Sequence, residues 1–182
     1  MSAHDPSQIK RVLDAGAKGI LAPMVETVHQ TESIISACQY PPDGTRGMGL
    51  ARAQGYGENS AKNKYINQKV NEIEIYVQIE SKKGLKNCKE IFSNNINGYF
   101  IGPYDLSASL NNPGKFDTDE FYNAEKIILS AAKEEGIKCG YHLVEPDKDK
   151  INELNDKGYN MIAFSVDIRM LDVTARLPFN LK

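Results

Sequence analysis

Apolar and polar positions switch between two periods along this chain. "DPSQIKRVLDAGAKG" places Ile9, Val12 and Leu13 on one helical face, with Asp5 or Ser7 as cap and Gly16 and Gly19 at its end. "GILAPMV" is a continuous apolar run and predicts a buried strand. "VHQTESIISACQ" returns to helical spacing, with Ile34, Ile35 and Cys38 inward. The glycine-rich stretch "YPPDGTRGMGLARAQGYGENS" is too long for a plain connection, which makes it a functional candidate. "NKYINQKVNE" predicts a helix. "IEIYVQIE" predicts a strand in which Ile73, Ile75, Val77 and Ile79 alternate with polar or charged residues.

The remainder repeats the alternation. "KGLKNCKEIFSN" is a predicted helix and "NGYFIG" a strand. "TDEFYNAEKIILSAAKEEG" is a long helix closed by Gly136, and "IKCGYHL" a strand. "EPDKDKINELNDKG" is a helix ended by Gly158, "YNMIAFSV" the last strand, and "DIRMLDVTARL" the last helix. Short apolar strands separated by helices predict an α/β fold, a parallel sheet with helical cover, in about five βα units. A (β/α)8 barrel needs eight strands and typically about 250 residues, so the count alone favours an open sheet or an incomplete barrel.

Composition narrows the class. The 182 residues suit one domain, residues 1–182, and 41% hydrophobic with 25% charged residues is an ordinary globular balance. The formal net charge of −2 and the lack of a basic patch argue against nucleic acid or an anionic membrane as partner. No apolar run approaches the roughly 20 residues that span a bilayer. The N-terminal "MSAHDPSQIKRV" lacks the apolar core of a signal peptide, so a cytoplasmic location is expected. Cys38, Cys88 and Cys139 are widely spaced and form no C-x-x-C, which makes each a small buried hydrophobe before anything else.

In parallel α/β folds ligands bind at the carboxyl ends of the strands. Those ends here carry Glu26, then Gln78 and Glu80, then Gly102-Pro103-Tyr104-Asp105, then His142, then Ser165 and Asp167. If their strands are neighbours, the carboxylates of Glu80 and Asp105 converge. Two such carboxylates raise a pKa or require a cation. They suit a general acid and base pair, or a hard divalent ion such as Mg2+ or Mn2+. The plain alternative is that each caps a helix or pairs with Lys82 or Lys83. In "GPYDLS", Pro103 presets a turn that leaves the amides of Tyr104 and Asp105 at a helix start, where an anion is favoured. A cation beside an anion pocket suits a 2-oxo acid.

Several pieces together resemble the HpcH/HpaI aldolase/citrate lyase family of metal-dependent class II aldolases. They are "GAKGILAPMVET", "CQYPPDGTRGMGLARAQGYG", "VQIES", "GYFIGPYDLSASL", "GYHLVEPD" and "FSVDIRMLD". The resemblance implies a TIM (β/α)8 barrel, here incomplete, and reversible cleavage of a 4-hydroxy-2-oxo acid through a pyruvate enolate. It implies Glu80 and Asp105 as ligands of Mg2+, Mn2+ or Co2+. Gln78 would line the site, and the backbone of Gly102, Tyr104 and Asp105 would hold the pyruvate carboxylate. It implies a homo-oligomer, a trimer or pair of trimers, with the C-terminal helix on a neighbour. Family members also carry a further N-terminal segment with the first strands, a proton-transferring His-Asp pair and an enolate-stabilising arginine, for which this sequence shows no match. His142 and Arg46 are weak substitutes; His4 lies outside the family's histidine context.

Two functions from different classes therefore stand. The first is a carbon–carbon lyase acting on 2-oxo acids. The second is an inactive remnant, or one part of a split barrel, that binds metal or self-associates through open strand edges. An acyl-CoA lyase or phosphoenolpyruvate-type enzyme on the same scaffold is a third, less favoured by "YPPDGTRG" and "GPYDLS".

Overall fold

The computed structural model describes residues 4–57 and 73–179. The helix expected at "NKYINQKVNE" lies outside the described residues. The elements are α1 (Pro6–Asp14), β1 (Gly19–Ala22), α2 (Val28–Cys38), a 3-10 stretch (Arg52–Gly57) and β2 (Glu74–Ile79). There follow α3 (Lys82–Phe92), β3 (Gly98–Ile101), α4 (Pro103–Ser109), α5 (Asp119–Glu135), β4 (Lys138–Leu143), α6 (Asp149–Lys157), β5 (Met161–Phe164) and α7 (Asp167–Arg176). The five strands form one parallel sheet in sequence order, a half-barrel clothed by helices.

Local signals explain most boundaries. Asp5 caps α1 by accepting the amides of Ser7 and Gln8, and Gly136 closes α5 in the left-handed conformation at φ 68°. Thr27 and Gln30 form a reciprocal capping box at the start of α2. Several expectations ran long, the last strand, for example, spanning only Met161–Phe164, and two of them have a plain local cause. The run "GILAPMV" leaves the strand after Ala22, because Pro23 has no amide to donate and Met24 turns left-handed at φ 51°. Helix α6 begins only at Asp149, after Pro146 and a turn in which the Asp147 carboxylate accepts the Asp149 amide at 3.0 Å.

The sheet has two distinct faces. Ile75, Val77, Ile79, Tyr99, Ile101, Cys139 and Leu143 point to the helices and pack with Ile9, Leu13, Ile34, Ile91, Phe92 and Ile128 in one core. The alternate residues, Tyr76, Gln78, Phe100 and His142, share the opposite face. There Tyr76 and Phe100 meet edge to face with centroids 6.1 Å apart. Gly140 pairs with Phe100, and a Cβ on it would lie 2.7 Å from the Phe100 ring and 2.5 Å from the Tyr99 carbonyl. The ring of one strand thus occupies the volume that a side chain of the next would fill. All three cysteines are free and buried, and burial pushes the Cys38 thiol up to about 12.

The glycine-rich loop turns out to begin at the other end of the sheet. It leaves the C-terminus of α2 and folds under α1, whose last residue, Asp14, lies five positions before β1 begins. Arg46 is buried and its Nη2 donates to Asp14 Oδ1 at 2.7 Å. Its guanidinium also stacks 4.7 Å from the Tyr40 ring centroid. Gln54 Nε2 bonds Asp14 at 3.1 Å and the Tyr40 hydroxyl at 2.6 Å, and Lys10 completes the cluster.

Burial pushes the Asp14 pKa up, but the Arg46, Lys10 and Gln54 bonds outweigh it and hold the carboxyl below its ordinary range. A depressed folded-state pKa means that the stabilisation is present above the unfolded value and is lost as pH falls through the folded one. Asp14→Ala leaves the Arg46 charge buried without its partner. It should lower unfolding free energy by about 3 kcal/mol in urea denaturation at pH 7, and by less in acid.

Candidate metal and carboxylate-binding site

Parallel pairing of β2 with β3 sets Ile79 against Ile101, so the next residues, Glu80 and Gly102, leave the sheet side by side. Glu80 is only 5% exposed. Its Oε1 accepts the Met24 amide at 2.7 Å, while among the described residues Oε2 receives no hydrogen bond. Burial pushes its pKa up; the Met24 amide opposes this, and the charge of Asp105 adds to the rise. The two carboxylates therefore feel one another across the β2–β3 mouth.

Gly102 decides how close these groups come. A Cβ there would lie 2.5 Å from Glu80 Oε2 and 2.6 Å from Gln78 Nε2. Both side chains lean over the glycine, and only hydrogen leaves them room. Gly102 is also the N-cap of α4 and has no side chain to accept its first amides. Pro103 is at the first position of that helix, and Asp105 is in its first turn. Tyr104 is exposed and packs edge to face on Phe116, 5.1 Å between centroids.

The plain alternatives for the two acids do not hold among the described residues. Ser81, not Glu80, caps α3, through its Oγ to the Gly84 amide at 3.1 Å. Lys83 pairs with Glu26 at 3.4 Å, and neither Glu80 nor Asp105 is in an ion pair. Two neighbouring carboxylates, one of them buried, thus lack a protein cation. Such a pair suits a hard divalent ion whose remaining positions are taken by water and substrate oxygens. No group of three or more His, Cys, Asp or Glu gathers among the described residues, so the protein would supply only this pair as charged ligands.

The other candidates are placed as follows. Gln78 is beside Glu80 at the mouth. His142 ends β4 on the same face of the sheet, with Nε2 3.4 Å from the Ser165 carbonyl, a contact that needs the proton on Nε2. His142 and Tyr104 line one cavity of about 450 Å3 with Phe116 and Tyr141. Arg46 is in the Asp14 cluster at the opposite end of the sheet. His4 precedes α1, before the Asp5 cap. Met24 is a residue of this candidate site that pattern reading missed. Its contribution is a backbone amide in a left-handed turn, for which the Pro23 interruption of an apolar run was the single available signal.

The family profile described as HpcH/HpaI aldolase/citrate lyase matches residues 1–172. The hydroxypyruvate/pyruvate aldolase of Roseovarius nubinhibens is 34% identical over 175 residues, 94% of this chain and 66% of that protein. The 2-keto-3-deoxy-L-rhamnonate aldolase of Escherichia coli is 39% identical over 166 residues, 88% of this chain and 60% of that protein. The chain thus spans somewhat less than two thirds of the length of these relatives. A crystal structure of an HpcH/HpaI aldolase/citrate lyase family protein from Burkholderia cenocepacia superposes with a TM-score of 0.89 at 27% identity, covering 97% of this chain and 69% of the other. Among the described residues no helix is long and apolar enough to cross a membrane.

Gly102→Ala meets the mobile ends of two side chains besides the Glu80 Cβ, so the fold should survive with little change in its urea midpoint. The displaced Glu80 and Gln78 should weaken Mn2+ binding at least about tenfold, as read by electron paramagnetic resonance of the free ion.

Proposed function

The chain belongs to the HpcH/HpaI aldolase/citrate lyase family, and on that premise we propose a metal-dependent carbon–carbon lyase that cleaves a 4-hydroxy-2-oxo acid to pyruvate and an aldehyde. The observation that carries this reading is the convergence of Glu80 and Asp105 with no cation of the protein's own beside them among the described residues. The relatives named above are aldolases, one of them a pyruvate aldolase, which supports the reaction class and the 2-oxo acid. The five strands correspond, on this reading, to part of a (β/α)8 barrel.

Glu80 and Asp105 hold the divalent cation, Mg2+, Mn2+ or Co2+. When bound, the cation supplies Lewis-acid stabilisation of the oxygen on which charge develops as the carbon–carbon bond breaks. Glu80 presents Oε2, since Oε1 is occupied by the Met24 amide. The uncapped amides of Tyr104 and Asp105, beside Gly102, receive the substrate carboxylate. Gln78 lines the same mouth and offers its amide to a substrate oxygen. The Nε2–H of His142 donates a hydrogen bond to the Ser165 carbonyl, which leaves Nδ1 as its one acceptor and favours a role in lining the substrate's approach. Arg46 braces the glycine-rich loop through Asp14.

One observation favours a second reading, in which the chain binds metal or self-associates without turnover. Helix α7 buries no residue, and Ile168 and Leu171 on it are 74% and 71% exposed. Such a face is covered when the helix docks on a neighbouring copy, as in a trimer or hexamer. The two readings separate in one experiment. With Mn2+ and pyruvate in deuterated water, the lyase exchanges pyruvate methyl protons, and Glu80→Gln or Asp105→Asn abolishes the exchange. Mn2+ binding without exchange, together with an oligomeric mass, favours the second.

A further inference from the structure

The Met24 amide reaches Glu80 only because the turn between β1 and α2 is held in an unusual shape. Met24 is left-handed at φ 51°, a conformation that ordinary side chains disfavour and that persists only where the surroundings impose it. Its side chain is half-exposed and does not anchor the turn. Val25 is buried and its amide donates to the Gln78 carbonyl at 3.2 Å, which fixes the turn to β2; the anchors to α3 lie at Glu26, two residues on from Met24. Ser81 Oγ donates to Glu26 Oε1 at 2.7 Å, and Asn87 Nδ2 donates to the Glu26 carbonyl at 2.8 Å. Lys83 lies 3.4 Å from the other carboxylate oxygen, and Gln30 Oε1 accepts the Glu26 amide at 2.8 Å. The turn also presses on α3, where a Cβ at Gly84 would lie 2.8 Å from the Val25 carbonyl. Every polar group of Glu26 is therefore engaged, three of the partners are the N-cap of α3 (Ser81) and two residues of its first two turns (Lys83 and Asn87), and Ser81 directly follows Glu80 in sequence.

We propose that Glu26 is a positioning residue for Glu80. Clasped by Ser81 and Asn87, it locks the Pro23–Thr27 turn so that the Met24 amide holds Glu80 Oε1 and leaves Oε2 alone to face the cation. The clasp thereby fixes Glu80 as a one-oxygen ligand. This rests on the metal reading above, so its test carries one readout that needs no metal.

Glu26→Ala removes the acceptor for Ser81, whereas Glu26→Gln keeps one and loses only the pair with the exposed Lys83. In the metal-free protein, hydrogen exchange at the Met24 amide should accelerate at least about tenfold in Glu26→Ala. The strand amides of Ile79 and Ile101 should keep their protection, and Glu26→Gln should exchange as the parent does. Mn2+ affinity should fall about tenfold in Glu26→Ala and recover in Glu26→Gln. Unchanged Met24 exchange in Glu26→Ala overturns the proposal. So does a Glu26→Gln variant as weak in Mn2+ as Glu26→Ala, which would mean that Glu26 acts by its charge. If the parent protein binds no Mn2+, the metal reading fails, and the Met24 exchange still decides whether the clasp exists.

Discussion

The parallel register of β2 on β3 is the constraint from which the site follows. Once Ile79 is opposite Ile101, Glu80 emerges beside Gly102, and Asp105 follows in the first turn of α4. The register is itself enforced from both faces. Ile75, Val77 and Ile79 must point to the helices, and a slip of one residue would turn them to the face that carries Tyr76, Gln78 and Phe100. Burial of a handful of aliphatic side chains thus fixes where two carboxylates meet. The same core then makes Glu80 costly as an anion, since its burial and the nearby Asp105 both push its pKa up.

That cost is met locally. A left-handed Met24 costs on the order of 1–2 kcal/mol relative to an ordinary turn residue. In return the strand end presents an amide to a buried carboxylate, a bond of the stronger, charge-assisted kind. The turn that carries it is tied to the sheet by the Val25 amide on the Gln78 carbonyl, and to α3 through Glu26, Ser81 and Asn87. Helix α3 begins at the residue after Ser81, so one segment both carries the carboxylate and fastens the turn that orients it. A site built this way holds its geometry before any ligand arrives.

Much of this was legible in the sequence. The β-strand alternation of "IEIYVQIE" places Gln78 and Glu80 on one face, and the Gly-Pro break before Asp105 marks a strand that hands over to a helix. What was not legible depends on backbone conformation and on distant partners. Nothing in "APMV" says that Met24 turns left-handed, because the residue that tolerates this shape best is glycine and here a long side chain adopts it. The engagement of Glu26 by α3 is equally hidden, since its partners lie 55 and 61 positions away. The glycine-rich loop misled for a different reason. Its length and composition signal an unusual connection, but they do not say at which end of the sheet it begins, and Arg46 anchors it beneath α1.

The two ends of the sheet then divide their charges in opposite ways. At the N-terminal end, Asp14 is met by Arg46, Lys10 and Gln54, so the carboxylate is fully matched and its role is to hold the loop against α1. At the C-terminal end Glu80 and Asp105 are brought together, and Lys83 of the adjacent α3 start pairs with Glu26 instead. A fold under selection for stability alone would place a lysine or arginine between two such acids, because repulsion between them and the burial of one both oppose folding. Among the described residues they are left unmatched while the acid at the other end is matched, which is the arrangement expected on the proposed reading, in which the neutralising charge comes from outside the chain.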